Sequence, residues 1–132
     1  MVDNGRSLLS RAFGVSDVTA LRHAVSRHAS AAGLADQRLQ DFVLAINELI
    51  TNAVRHGGGR GHLRLWCDDG ILWGQVTDRG PGISDPTSGQ RLPPASSIGG
   101  RGLWLARRMS DAITIDSGPR GTTATVSATL PG

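Results

Sequence analysis

The segment from Asp36 to His56 constrains this chain more than any other. Leu39, Phe42, Val43, Ile46, Leu49, Ile50, Ala53 and Val54 recur at helical spacing, over about six turns at 3.6 residues each. Asp36 stands where an N-cap is wanted and Gly57 where a helix stops. So long an apolar stripe is stable only against a second layer, which the rest of the chain has to supply.

The remaining segments supply it. Residues 7–13, SLLSRAF, read as an edge strand. A first helix is expected from Ser16 or Asp17 as cap, through Val18, Leu21, Val25 and Ala29, to Gly33. HLRLWCDDGILWGQVTD alternates on both sides of Asp69-Gly70, a hairpin signal, and its second strand ends at Asp78. No period follows from Arg79 to about Gly100, where Gly, Pro and Ser are frequent; residues 83–99 are expected to form a lid loop. Leu103, Ala106 and Met109 resume helical spacing after Gly99, Gly100 and Gly102, and AITIDSG and TTATVSATL read as a closing hairpin. The expected fold is α+β: a two-layer α/β sandwich with helices on one face of a mixed, mostly antiparallel sheet, residues 1–132 forming one domain.

Composition excludes several chemistries. All 14 basic residues are Arg, so there is no Walker A lysine, Schiff base or lysine general base, and a phosphate site must use Arg, backbone N–H groups or a metal. Among the 11 acids the single Glu is Glu48. The arginines are scattered, so a net charge of +3 reads as solvated surface rather than a nucleic-acid face. Cys67, the one cysteine, reads as a packing thiol. His23 and His28, five apart, do not make an i, i+4 metal pair. With no long apolar run and no signal pattern, the chain is expected to be soluble and cytoplasmic, with no membrane association.

At 100° per residue, with Glu48 at zero, Asn52 falls at about 40° and Arg55 at about −20°, while Leu39, Phe42, Ile46 and Ala53 gather between about 120° and 180°. Glu48, Asn52 and Arg55 are thus expected opposite the core, as a solvated face if the helix stood alone. Two later segments change the weighting. DRGPGI holds the Asp78 carboxylate at a strand end beside Gly80 and Gly82, and GGRGLW places glycines before a helix N-terminus, where phosphate is welcome.

Together, ELITNAVRH (Glu48, Asn52, Ala53, His56), DRGPG (Asp78, Gly80, Gly82), GRGL (Gly100, Gly102, Leu103) and GTTATV (Gly121, Thr122, Thr123) resemble the boxes of the GHKL ATPase superfamily. That superfamily contains histidine-kinase catalytic domains, gyrase B, mismatch-repair ATPases and anti-sigma-factor serine kinases. The resemblance implies the histidine-kinase-like ATPase fold, with ATP and Mg²⁺ as cofactors. It implies Asn52 as ligand to Mg²⁺, Asp78 as acceptor from the adenine amino group and Glu48 as catalytic carboxylate. Gly80 and Gly82 would lie beside adenine. Gly99, Gly100, Arg101, Gly102 and Leu103 would serve the phosphates, and Thr122 or Thr123 would reach adenine through a water. His56 is weighed evenly between a phosphate role and a helix-end cation.

The chain is similar to the small anti-sigma-factor serine/threonine kinases in particular, which implies an enzyme that phosphorylates a STAS-domain anti-anti-sigma partner and binds a sigma factor in alternation with it. A non-catalytic ATP-sensing module controlling a protein partner is the alternative. A homodimer is left open, and no direct nucleic-acid contact is expected.

Overall fold

The computed structural model describes residues 6–56, 58–79, 106, 109–118 and 121–131. Seven elements carry the fold: β1 (Arg6–Gly14), α1 (Val18–Ala32), α2 (Asp36–His56), β2 (Arg60–Asp68), β3 (Ile71–Asp78), β4 (Ala112–Gly118) and β5 (Gly121–Thr129). The strands form one sheet in the order β1-β2-β3-β5-β4. This is the α+β sandwich the periodicities predict, with β1 at an edge. Every pairing among the described strands is antiparallel. β3 and β4 do run the same way, but β5 lies between them, so the sheet contains no parallel ladder there.

Local chemistry sets the element ends. The β2–β3 turn has Asp69 at φ 53° and Gly70 at φ 75°, the paired left-handed conformation whose twist suits a two-residue hairpin. Helix α1 stops at Gly33, φ 123°, where the Leu34 N–H returns to the Ala29 carbonyl at 3.1 Å and Leu34, 2% exposed, is pulled into the core. At the other end Asp17 is the N-cap residue, one of the two expected. A 3-10 turn, Val15–Asp17, precedes α1, and Asp17 makes no side-chain cap bond to the helix. Its carboxylate instead accepts the Gly14 N–H at 2.8 Å.

The core lies between α1 and α2 and one face of the sheet. Phe42, Ala45, Ile46, Leu49, Ile50 and Ala53 of α2 are buried with Leu63 and Leu65 of β2, Leu72 and Val76 of β3, and Val126 of β5. Gly74 decides how close the layers come. A Cβ there would collide with Ile46 Cδ1 and lie 3.2 Å from Leu65 Cδ2; its absence seats α2 directly over β3. On the opposite face Trp66 and Trp73 stack across β2 and β3 with centroids 6.1 Å apart, and the Arg64 guanidinium lies 5.0 Å over Trp66.

A polar clasp ties three elements at the far end of the sheet from Asp78. The Asp111 carboxylate accepts from the Thr129 N–H at 2.7 Å and from Arg38 at 3.2 Å, and Arg38 also donates to the Thr129 carbonyl at 2.7 Å. These donors, the Thr129 N–H foremost, hold the Asp111 pKa below the ordinary carboxylate value. Residues 106 and 109 have helical backbone, and Ala106 is fully buried.

Gly74→Ala is expected to cost about 1–3 kcal/mol by overpacking, read as a lower urea midpoint at unchanged m-value. Because its folded pKa is depressed, Asp111 contributes stability above the unfolded carboxylate range and loses it as pH falls through the folded value. The stability gap between the native chain and Asp111→Asn, measured by denaturation at stepped pH, should therefore be open at pH 7 and close under acid.

Candidate functional site

One end of the sheet collects the polar groups. Only residues 57–59 separate α2 from β2, so the C-terminal turns of α2 must lie where β2 begins. There His62 pairs with Thr77, next to Asp78, which ends β3. Asp78 in turn lies opposite Thr122, and Thr122 opposite Ser117. Asn52, His56, Asp78, Thr122 and Ser117 are thereby brought to the same end of the fold by chain connectivity and strand register.

Alternation assigns faces. Along β3, Leu72, Gly74, Val76 and Asp78 are buried toward the helices, so Asp78, 7% exposed, is a carboxylate in a position the pattern otherwise reserves for apolar residues. On β5, Thr122 is 5% exposed on that same face. Thr123 is on the other face, paired through its hydroxyl with Thr77 at 3.4 Å. Of the two threonines the sequence offers, Thr122 is the one beside Asp78. Gly121, at φ 138°, has no room for a Cβ, which would strike the Asp78 carbonyl and lie 2.8 Å from Arg79 Cα. β5 therefore starts tight against the Asp78–Arg79 backbone. A cavity of about 540 Å³ lies at these strand ends, lined by Asp78, Ser117, Thr122 and Gly121 among others. A second, of about 400 Å³, lies between Asp78 and the β2 start at Arg60–His62. Both volumes are of the size that holds small ligands.

The α2 stripe is less uniform than the helical projection implies. Asn52 is not opposite the core but at its margin, 8% exposed, because Ala45 on the same side of the helix is itself fully buried. Glu48 is half-buried and Arg55 exposed. Burial raises the Glu48 pKa above the ordinary carboxylate value, and the Arg55 charge opposes that rise. His56 Nε2 and Asn47 Oδ1 are buried with no hydrogen-bond partner among the described residues, an arrangement that costs free energy unless a further group satisfies them.

Gly80, Gly82, Gly99, Gly100, Arg101, Gly102, Leu103 and the expected lid at 83–99 lie outside the described residues. Among the described residues no cluster of three or more His, Cys, Asp or Glu is arranged to hold a metal. The donor set fits a nucleotide. An amide at the core margin suits a hard metal, and an acceptor-only carboxylate beside a hydroxyl suits the edge of an amino-purine. The sequence reading missed Ser117, whose hydroxyl lies 2.9 Å from Thr122 Oγ1. Counting register through the two-residue loop at 119–120 would have found it.

The chain belongs to the histidine kinase-like ATPase domain family, whose model matches residues 14–128. Its fold is similar to the RsbU and RsbW domains of Rv1364c from Mycobacterium tuberculosis, at 20% identity and TM-score 0.67, over 93% of this chain and 33% of that one. It is also similar to the histidine kinase domain of the blue-light activated histidine kinase EL346 from Erythrobacter litoralis, at 18% identity and TM-score 0.59, over 98% and 70% of the two chains. The Acinetobacter baumannii histidine kinase AdeS matches at 15% identity and TM-score 0.59, over 95% and 69%. The chain thus spans about a third of the first of these. No curated protein sequence matches it, and among the described residues no helix is long and apolar enough to cross a membrane.

Removing the opposing charge should leave burial to act alone on Glu48. In Arg55→Ala the Glu48 carboxyl, followed by its carbon chemical shift, is expected to titrate at higher pH than in the native chain; an unchanged or lower midpoint would show that Arg55 does not act on it.

Proposed function

We propose that this chain binds Mg-ATP and transfers the γ-phosphoryl group to a serine or threonine of a STAS-type anti-anti-sigma partner, holding a sigma factor in alternation with it in the cytoplasm. The reading is supported by Asp78 and Thr122, buried opposite one another at the strand ends, and by the three-residue connection that leads the last turns of α2, with Asn52 and His56, toward that end; Glu48 precedes Asn52 by one helical turn.

Each residue has chemistry suited to its part. Asp78 accepts a hydrogen bond from an exocyclic amino group through its carboxyl oxygen, and Thr122 completes the base contact. Asn52 presents an amide oxygen to a hard cation. When bound, Mg²⁺ would neutralise phosphate charge and hold it in line for transfer. His56, with its buried Nε2 unpartnered among the described residues, is assigned to the phosphates, as are Gly99, Gly100, Arg101, Gly102 and Leu103; Gly80 and Gly82 are assigned to the base. In a chain without Lys, Arg101 is the natural cation for this duty.

Glu48 is assigned as the general base that takes the proton from the attacking hydroxyl. Its raised pKa favours the role, because a base whose pKa is nearer the working pH accepts a proton more readily while still being ionised. The likeness to a chain containing an RsbW domain supports a serine kinase over a histidine kinase.

Incubation with Mg-ATP and a STAS-domain partner should label the partner. Glu48→Ala should lose about 10²–10⁴-fold in transfer rate while binding ATP as the native chain does; undiminished transfer would overturn the base assignment. The native rate should rise with pH through the Glu48 titration, since only the ionised carboxylate accepts the proton. Asp78→Asn should lose ATP binding itself, and tight ATP binding without transfer to any partner would favour an ATP-sensing module.

A further inference from the structure

The two cavities at the strand ends differ in charge. Among the described residues the larger is lined by two acids, Asp78 and Asp116, and one cation, Arg79. The smaller, about 400 Å³, is lined by Gly58, Arg60, Gly61, His62, Asp78 and Arg79, which sets two guanidiniums and an imidazole against one carboxylate. That carboxylate belongs to the helix side of the sheet. Arg60 and His62, exposed positions that alternate with the buried Leu63 and Leu65, face the other way. The nucleotide reading gives none of these three cations a duty.

The backbone beneath them is firmly held. Arg60 and His62 flank Gly61, where an added Cβ would come within 2.8 Å of both Phe13 Cζ and the Thr77 carbonyl, so the start of β2 is wedged between β1 and β3. Arg79 is held at its Cα, which a Cβ on Gly121 would approach to 2.8 Å. The Ser10 hydroxyl lies 2.8 Å from His62 Nε2, which steadies the ring and leaves Nδ1 for a ligand. Arg64, the next cation on this face of β2, lies over Trp66 at 5.0 Å and is already engaged. Arg60 and Arg79 are not. Among the described residues the one ion pair is Arg38–Asp111, so no carboxylate there neutralises either guanidinium.

A carboxylate has two oxygens and one charge, which a single bidentate guanidinium satisfies. Two guanidiniums and an imidazole lining one cavity are matched by a group with three terminal oxygens and two charges. The volume leaves room for more than that group alone. We propose that this cavity binds a phosphomonoester dianion carried on a serine or threonine side chain of a protein. The site does not depend on the nucleotide reading, but its place in the reaction rests on it. Phosphoserine is the product of the proposed transfer, so a site for it retains the modified partner after ATP has been used.

The native chain is titrated with N-acetyl-O-phosphoserine methylamide, with inorganic phosphate and with the unphosphorylated serine compound, following the side-chain NMR signals of Arg60, His62 and Arg79. The phosphoserine compound should saturate these signals, inorganic phosphate should bind several-fold more weakly, and the serine compound should not bind. Absence of saturable binding would overturn the site, and equal affinity for the two phosphates would overturn its assignment to a protein-borne group. Arg60→Gln and Arg79→Gln should each weaken binding about tenfold, the loss of one charge-assisted hydrogen bond. Arg27→Gln, exposed on α1 and away from the cavity, should bind as the native chain does; equal losses in all three would reduce the effect to general charge attraction and sink the proposal. Binding should persist in saturating Mg-ADP, whereas its loss there would assign these cations to the nucleotide's own phosphates. A chain that binds phosphoserine but no nucleotide would overturn the nucleotide reading and leave the phosphomonoester site standing.

Discussion

Everything in this molecule depends on how closely α2 sits on β3. The absent side chain at Gly74 admits Ile46, and with it the whole apolar face of α2 drops onto the central strands. From that seat the helix can go only one way. Its last turns reach the sheet end where β2 begins and β3 stops, because residues 57–59 leave no slack. Asn52 and Asp78 are far apart in sequence, yet a single packing contact and a three-residue turn bring their elements' ends together.

The second organising constraint is register. A strand pair in which one face is buried cannot slip by one residue without turning its apolar set to solvent. The buried alternation of Leu72, Gly74 and Val76 therefore fixes the level at which Asp78 meets Thr122, and Ala124 and Val126 fix it from the other side. The polar row of Asp78, Thr122 and Ser117 is held in place by the apolar rows behind it. Its members are polar groups that line the larger cavity.

Much of this was legible in the sequence, for identifiable reasons. The helix at Asp36–His56 announces itself by periodicity, and the Asp69-Gly70 turn by the residues its φ angles require. Both are local signals. Asp17 stands at the α1 N-cap as expected, but its carboxylate bonds the Gly14 N–H across a 3-10 turn rather than the helix, which periodicity does not reveal. Asn52 was placed opposite the core because a helical projection weighs only large apolar residues, and Ala45, small and fully buried, widened the buried arc past it. The choice between Thr122 and Thr123, and the presence of Ser117 in the row, depend on pairing across three strands. No single segment contains that information.

The Arg38–Asp111–Thr129 clasp bears on how such a chain can change over time. It pins the connection from β3 to β4 where it arrives, as the Asp78 end of β3 pins it where it departs. A single residue inserted within β4 would rotate Ser117 to the opposite face, away from Thr122. Between the clasp and the strand ends, the length of β4 is therefore set by register, and one added residue there is a different protein.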